Sequence, residues 1–402
     1  MSYFNADIEL NRPKLLLFSC PSSILHCLRG RICVFEMAGH ACGQGRYPAV
    51  MAHLLRNTTA QAESVGELDI LRLIRSRAAR LPNARVALGI GDDCALLRPR
   101  HDEELAVTTD LSIADRHFRL DWHPPESIGH RTLARGLSDL AAMGAQPVAA
   151  FLSLALPVEL TRSSSRGTSW LGRFLDGFLA LAARHGVALA GGDLAQSPLA
   201  FADIVLTGVV PRGRALLRSG ARAGDRVCVT GSLGGAAAEL ASLAAHPRRF
   251  TRIKQTGSKI KQAGSKVDGG EENRPHLYPA PRIAQGVALR RRALATAALD
   301  ISDGLSTELS HLALASGVCI EIDAERIPLG PGASLDQALH GGEDYELLFT
   351  TPSGLRLPRT LVGAPVTVIG RVLASRRGQP VVTLLQDGLR QTIAALGWEH
   401  FR

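Results

Sequence analysis

The 402-residue sequence lacks any long hydrophobic run and contains few aromatic residues. No apolar stretch approaches the roughly 20 residues that a membrane-spanning helix needs, so we expect no membrane association. Aromatic residues make up only 4% of the chain, whereas glycine occurs 40 times. This composition predicts one large or two medium domains with an interior of alanine, leucine and valine and many tight turns.

Cysteine is scarce and shows none of the spacings that bind zinc. Four of the seven cysteines fall within the first 42 residues, and Cys94, Cys228 and Cys319 stand apart in apolar surroundings. We interpret these three as reduced core residues of a cytoplasmic protein.

The formal net charge is +9, but the charge is unevenly distributed. Residues 248–274 carry more than half of the excess and few apolar side chains, which predicts a flexible basic insertion. Because the excess is concentrated there, we expect no basic nucleic-acid face on the folded body and no nucleic-acid partner.

Residues 1–62 differ from the rest because they show no sustained periodicity. The apolar run at 15–18 follows Asp7 and Glu9, whereas a signal peptide would carry positive charge there. A signal peptide is therefore the less favoured alternative. We interpret 1–62 as a poorly ordered extension or as upstream sequence included by a mis-assigned start, with Met37 and Met51 as alternative starts.

Aspartates beside glycines mark the organised part of the sequence. The run Gly-Ile-Gly-Asp-Asp-Cys at 89–94 follows apolar residues 86–88, which predicts a strand and a tight glycine turn. Aspartate-bearing segments recur, and they include a predicted strand–glycine–aspartate turn at 187–193. The further segments end at Asp110 or lie at 300–303 and 343–344. Helical periodicity predicts helices over 66–80, 124–143, 168–185 and 236–245.

Asp139 interrupts the apolar face of the predicted helix 124–143. A carboxylate beside a core stripe is costly unless it is paired or bound to a metal. A pair with Arg135, four residues earlier, is the simple structural alternative. Clustered carboxylates would repel each other unless divalent cations neutralised them, and oxygen ligands favour Mg²⁺ over zinc.

Several Mg²⁺ ions together with glycine turns indicate polyphosphate chemistry, in which the protein mainly positions groups and neutralises charge. The glycine-rich run 231–235 precedes a predicted helix, whose N-terminus can bind an anion. It lacks the Lys-Ser/Thr ending of a phosphate-binding P-loop, so a plain strand–helix turn is favoured.

Seven motifs, in order over residues 66–401, resemble the thiamine-monophosphate kinase family of the PurM-like ATP-binding superfamily. They lie at 89–95, 108–110, 137–145, 191–193, 217–221, 300–305 and 342–347. The resemblance implies an α/β fold with an N-terminal mixed-sheet domain (63–212) and a C-terminal α/β domain (213–402). It further implies ATP-dependent phosphorylation of thiamine monophosphate to thiamine diphosphate by direct in-line transfer with several Mg²⁺ ions, in a homodimer joined through the N-terminal domains.

The resemblance also implies roles for individual residues. The expected Mg²⁺ ligands are Asp93, Thr108, Thr109, Asp110, Asp139, Asp193, Asp300 and Asp303. The expected ATP contacts are Thr109, Gly192, Asp193, Arg218 and Ser302. His117, Glu343 and Trp398 are expected to bind the thiamine acceptor, and Asp93, Asp303 and Arg218 to be catalytic.

The sequence departs from the family pattern at three places. Leu194 and Ala195 stand where the family commonly has two threonines, the basic loop 248–274 is inserted, and residues 1–62 have no family counterpart.

Three alternative functions are weighed against this resemblance. A selenophosphate synthetase would need a reactive cysteine, which residues 66–88 lack, and a purine-pathway cyclo-ligase lacks the Gly-Gly-Glu-Asp-Tyr-Glu pattern of 341–346. The third alternative, a non-catalytic nucleotide-binding regulatory protein, is disfavoured because every expected aspartate ligand is present.

Overall fold

The computed structural model describes residues 27–28, 31–32, 66–162, 169–246, 274–375 and 381–397. The chain divides into two compact units, Met1–Ala60 and Gln61–Arg402. In the first, strands β1 (Cys27–Leu28) and β2 (Arg31–Ile32) pair antiparallel. The remaining predictions for 1–62, the basic insertion up to residue 273, and Trp398 lie outside the described residues.

The first part of the larger unit is a four-stranded sheet with helices on one face. In chain order its elements are α1 (Glu67–Ala78), β3 (Val86–Leu88), β4 (Leu96–Leu97), β5 (Glu103–Ile113), α2 (Pro125–Ala142), β6 (Gln146–Leu156), α3 (Val158–Thr161), α4 (Trp170–His185), β7 (Ala188–Gln196) and β8 (Phe201–Pro211). The strand order is β5-β8-β6-β7, in which only the β6–β7 pair is parallel. β5 therefore forms one edge of the sheet and β7 the other.

Helix α2 is the most buried helix of this part and sets the position of Asp139. Its apolar positions Leu133, Leu137 and Leu140 are inaccessible to solvent. It packs against α4 so closely that a Cβ atom on Gly129 would lie 1.9 Å from the carbonyl oxygen of Phe174. Only glycine permits this approach. On other sides α2 contacts the sheet and elements of the second part, so Asp139 lies at the junction of the two parts.

The second part is an eight-stranded mixed sheet with its own apolar core. Its elements are β9 (Arg226–Thr230), α5 (Gly235–Ala245), α6 (Ile283–Arg291), β10 (Ala297–Asp300), α7 (Leu305–Ser316), β11 (Val318–Asp323), a 3₁₀ turn (Ala324–Arg326), α8 (Leu335–His340), β12 (Leu347–Thr351), β13 (Thr360–Leu361), β14 (Ala364–Ala374), β15 (Val382–Gln386) and β16 (Leu389–Thr392). The strand order is β10-β12-β9-β14-β11-β15-β16, and β13 pairs with β14.

The predicted α/β architecture is confirmed, and α1, α2, α4 and α5 occupy the four predicted helical regions. Two local predictions are wrong. Residues 191–193 form no turn, because β7 continues through them and pairs with β6. Gly192 is required instead for close approach: its φ is +147°, and a Cβ there would lie 1.9 Å from the carbonyl oxygen of Leu152. Cys94 is exposed, although Cys228 and Cys319 are buried as expected.

Across the described ranges, no helix combines the length and apolar character needed to cross a membrane.

Candidate active site

A cavity of about 840 Å³ lies where the two parts of the larger unit meet. Its walls come from the end of β5, the segment 115–123, helices α2 and α5, and the loops at 300–303 and 341–345. Seven predicted site residues line it: Asp110, His117, Asp139, Asp300, Ser302, Asp303 and Glu343. Residues that are distant in the sequence are therefore brought to one space.

The carboxylates of Asp139 and Asp300 are each held by a neighbouring hydroxyl. Thr108 Oγ1 donates to Asp139 Oδ2 at 2.5 Å, which joins β5 to α2. Ser138 Oγ donates to Asp300 Oδ2 at 2.7 Å, which joins α2 to the end of β10. These two bonds place both carboxylates on the same wall of the cavity.

Burial raises the pKa of Asp139 to about 6, and the negative charge of Asp300 adds to this shift. Burial likewise raises the pKa of Asp300 to about 6, with a further contribution from the charge of Glu308. The positive charge of Arg218 opposes both shifts, although its side chain is exposed. An excess of negative charge in a poorly solvated place is the environment that a hard divalent cation relieves.

These residues suit Mg²⁺ in their chemistry, because they offer oxygen ligands alone. In the described part of the chain, no three His, Cys, Asp or Glu side chains are already gathered into a ligand cluster. The carboxylates thus line the cavity without forming a closed set of ligands.

Asp110 has a different electrostatic environment from Asp139. Arg135 donates from Nε to Asp110 Oδ2 at 2.9 Å, and its Nη2 lies 2.7 Å from Oδ1. Burial raises the pKa of Asp110 and this arginine opposes the shift. The sequence alternative in which Arg135 pairs with Asp139 is therefore wrong, because the arginine crosses from α2 to β5 and neutralises Asp110.

His117 and Glu343 lie in the same cavity and are more constrained than the sequence indicated. His117 is half-buried, and its Nδ1 accepts a hydrogen bond from the backbone N–H of Ile113 at 3.0 Å. Glu343 has a positive φ of 69°, an unusual conformation for a residue with a side chain. Its two carboxylate oxygens contact Arg131 at 2.6 Å and His276 at 3.0 Å.

Sequence reasoning missed Arg131, His276 and the aromatic residue Trp122, all of which belong to this site. Trp122 and His276 line the cavity, and the guanidinium of Arg119 lies 4.5 Å from the centre of the Trp122 ring. His276 opens the His-Leu-Tyr-Pro segment at 276–279, so its motif was visible in the sequence. Arg131 gave no such signal, since a helical arginine is usually solvated.

Asp93, Gly192 and Asp193 line a second cavity, of about 760 Å³, between α1, residues 90–95 and β7. The strand pairing explains why Asp193 is absent from the first cavity. Leu111, Asp203, Ser153 and Asp193 form one row across the sheet. Because neighbouring strand residues face opposite sides, Asp193 shares a face with Leu111 and not with Asp110.

Thr108 and Thr109 are separated in the same way. Thr108 faces α2, whereas Thr109 is exposed on the opposite face of β5. Three strand spacings, roughly 14 Å, separate the edge that carries Asp110 from the edge that carries Asp193. Within one chain, the predicted aspartate ligands therefore divide between two cavities.

The N-terminus of α5 is closed by a residue from the 341–346 loop. The backbone N–H groups of Gly234 and Ala236 donate to the carboxylate of Asp344, at 2.7 Å and 3.4 Å. The anion at this helix end is therefore Asp344 itself, which refines the prediction of a plain strand–helix turn. Burial nevertheless raises the pKa of this carboxyl to about 7, and the two backbone donors only partly offset it.

We expect the pKa of Asp344 to make folding stability pH-dependent. Its folded pKa of about 7 exceeds the ordinary aspartate value of 3.8, so its contribution to folding stability is full below pH 4 and is lost as pH rises to 7. At about 1.4 kcal/mol per pKa unit, the loss should be on the order of 2 kcal/mol or more. Urea unfolding at pH 5 and pH 8 measures it. The difference between wild type and Asp344→Asn should change between these pH values, and a constant difference would contradict the assignment.

The family models "AIR synthase related protein, N-terminal domain" and "AIR synthase related protein, C-terminal domain" match residues 91–210 and 222–383. The thiamine-monophosphate kinase of Escherichia coli K12 is 38% identical over 339 residues, which cover 81% of this chain and 95% of the relative. The chain belongs to the thiamine-monophosphate kinase family. The resemblance seen in its motifs is therefore confirmed.

Solved structures of this family agree with the fold. The thiamine-monophosphate kinase of Stenotrophomonas maltophilia K279a is 36% identical with a TM-score of 0.65, covering 80% of this chain and 97% of that one. A structure named AaThiL complexed with AMPPCP and TMP is 30% identical with a TM-score of 0.59, covering 85% and 99%. The two-domain PurM-like fold is thus confirmed, whereas the boundaries 63–212 and 213–402 stay predictions.

Proposed function

We propose that this chain phosphorylates thiamine monophosphate to thiamine diphosphate with ATP as the phosphoryl donor. Family membership supports this activity, and AMPPCP and TMP are bound in the AaThiL structure. The observation that carries the proposal is the 840 Å³ cavity, which joins Asp139, Asp300 and Asp303 to His117 and Glu343. A phosphate-transfer region and an acceptor region are thereby adjacent in one space.

Asp139, Asp300 and Asp303 are the residues best suited to hold Mg²⁺ in this cavity. The support is their oxygen chemistry and the raised pKa values of Asp139 and Asp300. Bound Mg²⁺ would neutralise the charge of the phosphates during transfer. Asp110 is a weaker candidate in this state, because Arg135 already neutralises it.

The chain's own residues position the two substrates. Ser302 lies between Asp300 and Asp303 on the cavity wall, where its hydroxyl can contact a phosphate oxygen. Arg218 offers a planar guanidinium that binds phosphate oxygens in pairs, and its charge already acts on Asp139 and Asp300. In-line transfer requires the phosphate of thiamine monophosphate to face Ser302 and its flanking aspartates, with the cationic ring of the acceptor toward His117 and Glu343. Trp398 stays a predicted acceptor contact.

We further propose a homodimer through the outer face of the first sheet. Leu105, Val107 and Leu111 alternate along β5 and are exposed on the face away from α2. β5 is also an edge strand within this sheet, and exposed apolar edges favour pairing with another chain. A second copy would cover both the apolar row and the open edge.

Val107→Lys is expected to convert the dimer to a monomer. The Val107 side chain is 57% exposed in one chain, so a lysine should fold there at little cost but oppose burial against a partner. Sedimentation velocity measures the change. Leu389→Lys is the matched control, since Leu389 is 66% exposed on the edge strand of the other sheet. If Val107→Lys remained dimeric, the interface would have to lie elsewhere.

The dimer also gives Asp93 and Asp193 a place in the reaction. Both lie at the second cavity, and Asp193 is on the sheet face that the partner would cover. We propose that each complete site combines Asp110, Asp139, Asp300 and Asp303 of one chain with Asp93, Gly192 and Asp193 of its partner. Thr109 is on the same outward face and would contribute across this interface.

Purified full-length protein with ATP, MgCl₂ and thiamine monophosphate tests the activity. Thiamine diphosphate and ADP should form in equal amounts, and neither thiamine nor AMP should replace the acceptor. ATP binding without turnover would instead support the non-catalytic regulatory alternative.

The cytoplasmic location and the absence of a nucleic-acid partner remain expectations.

A further inference from the structure

Glu343 belongs to a buried hydrogen-bonded network that also contains Arg131, His276 and His123. The side chains of Arg131 and His276 are 4% and 2% exposed, and each contacts a different oxygen of Glu343. Both oxygens of this carboxylate are therefore already engaged by the protein. A carboxylate bound in this way has one fixed orientation toward the cavity.

The guanidinium of Arg131 contacts two backbone carbonyl oxygens as well as the carboxylate of Glu343. Its Nη2 donates to Glu343 Oε1 at 2.6 Å and to the carbonyl oxygen of His117 at 3.0 Å. Its Nη1 donates to the carbonyl oxygen of His276. His117, His276 and Glu343 all line the cavity and come from three separate segments. One planar guanidinium thus connects the three segments that carry His117, His276 and Glu343 around the acceptor region.

The two histidines extend the network to the segment 115–123. A carboxylate only accepts, so His276 Nδ1 carries the proton that faces Glu343 Oε2 and not the nearby Arg131 Nη1. Burial and the charge of Arg131 lower the pKa values of both histidines, which keeps them neutral. His276 Nε2 then accepts from His123 Nε2–H at 2.9 Å.

His123 Nδ1 is consequently left as an acceptor, and it receives the backbone N–H of Arg119 at 3.0 Å. The other contact of this atom, 3.1 Å from the carbonyl oxygen of Arg119, would need a proton on Nδ1. With the proton on Nδ1, His123 Nε2 would carry a lone pair. That lone pair would face the lone pair of His276 Nε2. Every donor in the chain from Arg119 through His123 and His276 therefore points toward Glu343.

Resting on the proposed kinase function, we propose that Arg131, His276 and His123 are positioning residues that orient Glu343 and the segment 115–123 for the thiamine acceptor. These three residues act on the acceptor only through Glu343 and His117, and they do not bind ATP. Their loss should weaken the binding of thiamine monophosphate without weakening the binding of ATP, because the expected phosphate-binding residues lie outside the network.

Steady-state kinetics of full-length variants test this assignment. Arg131→Lys keeps the charge but cannot reach all of its acceptors, and His276→Ala removes a donor to the carboxylate. Each should raise KM for thiamine monophosphate about 10-fold or more, as expected for a lost hydrogen bond to a charged group, with KM for ATP within about 2-fold. His276→Gln restores an N–H donor and should recover most of the acceptor affinity.

Arg282→Lys is the matched control. Arg282 forms a comparable partly buried pair with Glu346, which does not line the cavity, so its loss should lower thermal stability without changing either KM selectively. Equal increases in both KM values for Arg131→Lys and His276→Ala, or no recovery in His276→Gln, would overturn the proposal. An inactive wild-type protein would instead overturn the kinase function. Calorimetric titration of thiamine monophosphate into the same variants would then decide the positioning role separately.

Discussion

Replacing Asp303 with asparagine is expected to lower kcat by about 100-fold or more and to leave the chain folded. Asp303 lines the cavity three residues after β10 ends and just before Gly304, whose φ of 107° turns the chain into α7. Asparagine has nearly the same shape, so this turn should survive. What is lost is one negative charge at the place where a cation and the phosphates would meet.

The measurement is kcat at saturating ATP and thiamine monophosphate, repeated over a range of MgCl₂ concentrations, with Tm as the check on folding. Asp336→Asn serves as the control, because Asp336 is exposed in the first turn of α8 and lines neither cavity. Near-normal turnover of the Asp303 variant at high Mg²⁺ would remove Asp303 from the expected ligands.

The sequence was sufficient to identify the segment around Asp303. Asp300 and Asp303 belong to one of its recurring aspartate-bearing segments. The structure places this segment between strand β10 and helix α7. The position of Asp139 on α2 was likewise visible from helical periodicity.

The partners of these residues were not predictable, because they depend on packing between distant segments. Arg135 can reach either Asp139 on its own helix or Asp110 on β5, and only the packing of α2 on the sheet decides for Asp110. Glu343 is 212 residues from Arg131, so no local pattern relates them. The raised pKa of Asp139 follows from burial beside Asp300, which is also a tertiary property.

The prediction for Asp193 shows a different limit. Glycines next to an aspartate were interpreted as a turn, whereas Gly192 serves a close contact between β7 and β6. Once the strand is known, alternation places Asp193 on the face opposite Asp110. The sequence motif identified Asp193 as a site residue. Only the order of the strands in the sheet shows which cavity Asp193 lines.

Mixing two inactive chains is expected to restore activity, because Asp193 and Asp303 line different cavities of one chain. Asp193→Asn and Asp303→Asn should each abolish most turnover as homodimers. In a heterodimer of the two, one site would combine the intact Asp303 of the first chain with the intact Asp193 of the second. The other site would carry both substitutions. Heterodimers isolated with two different affinity tags should therefore show about half of the wild-type kcat per dimer.

The informative control is a heterodimer of Asp300→Asn with Asp303→Asn. Both residues line the same cavity, so each of its two sites carries one substitution and no activity should return. If the Asp193 and Asp303 heterodimer were as inactive as this control, both aspartates would have to act within one chain. Asp193 would then need a rearrangement of β7 to reach Asp110 and Asp303, since it faces the opposite side of a sheet roughly 14 Å wide.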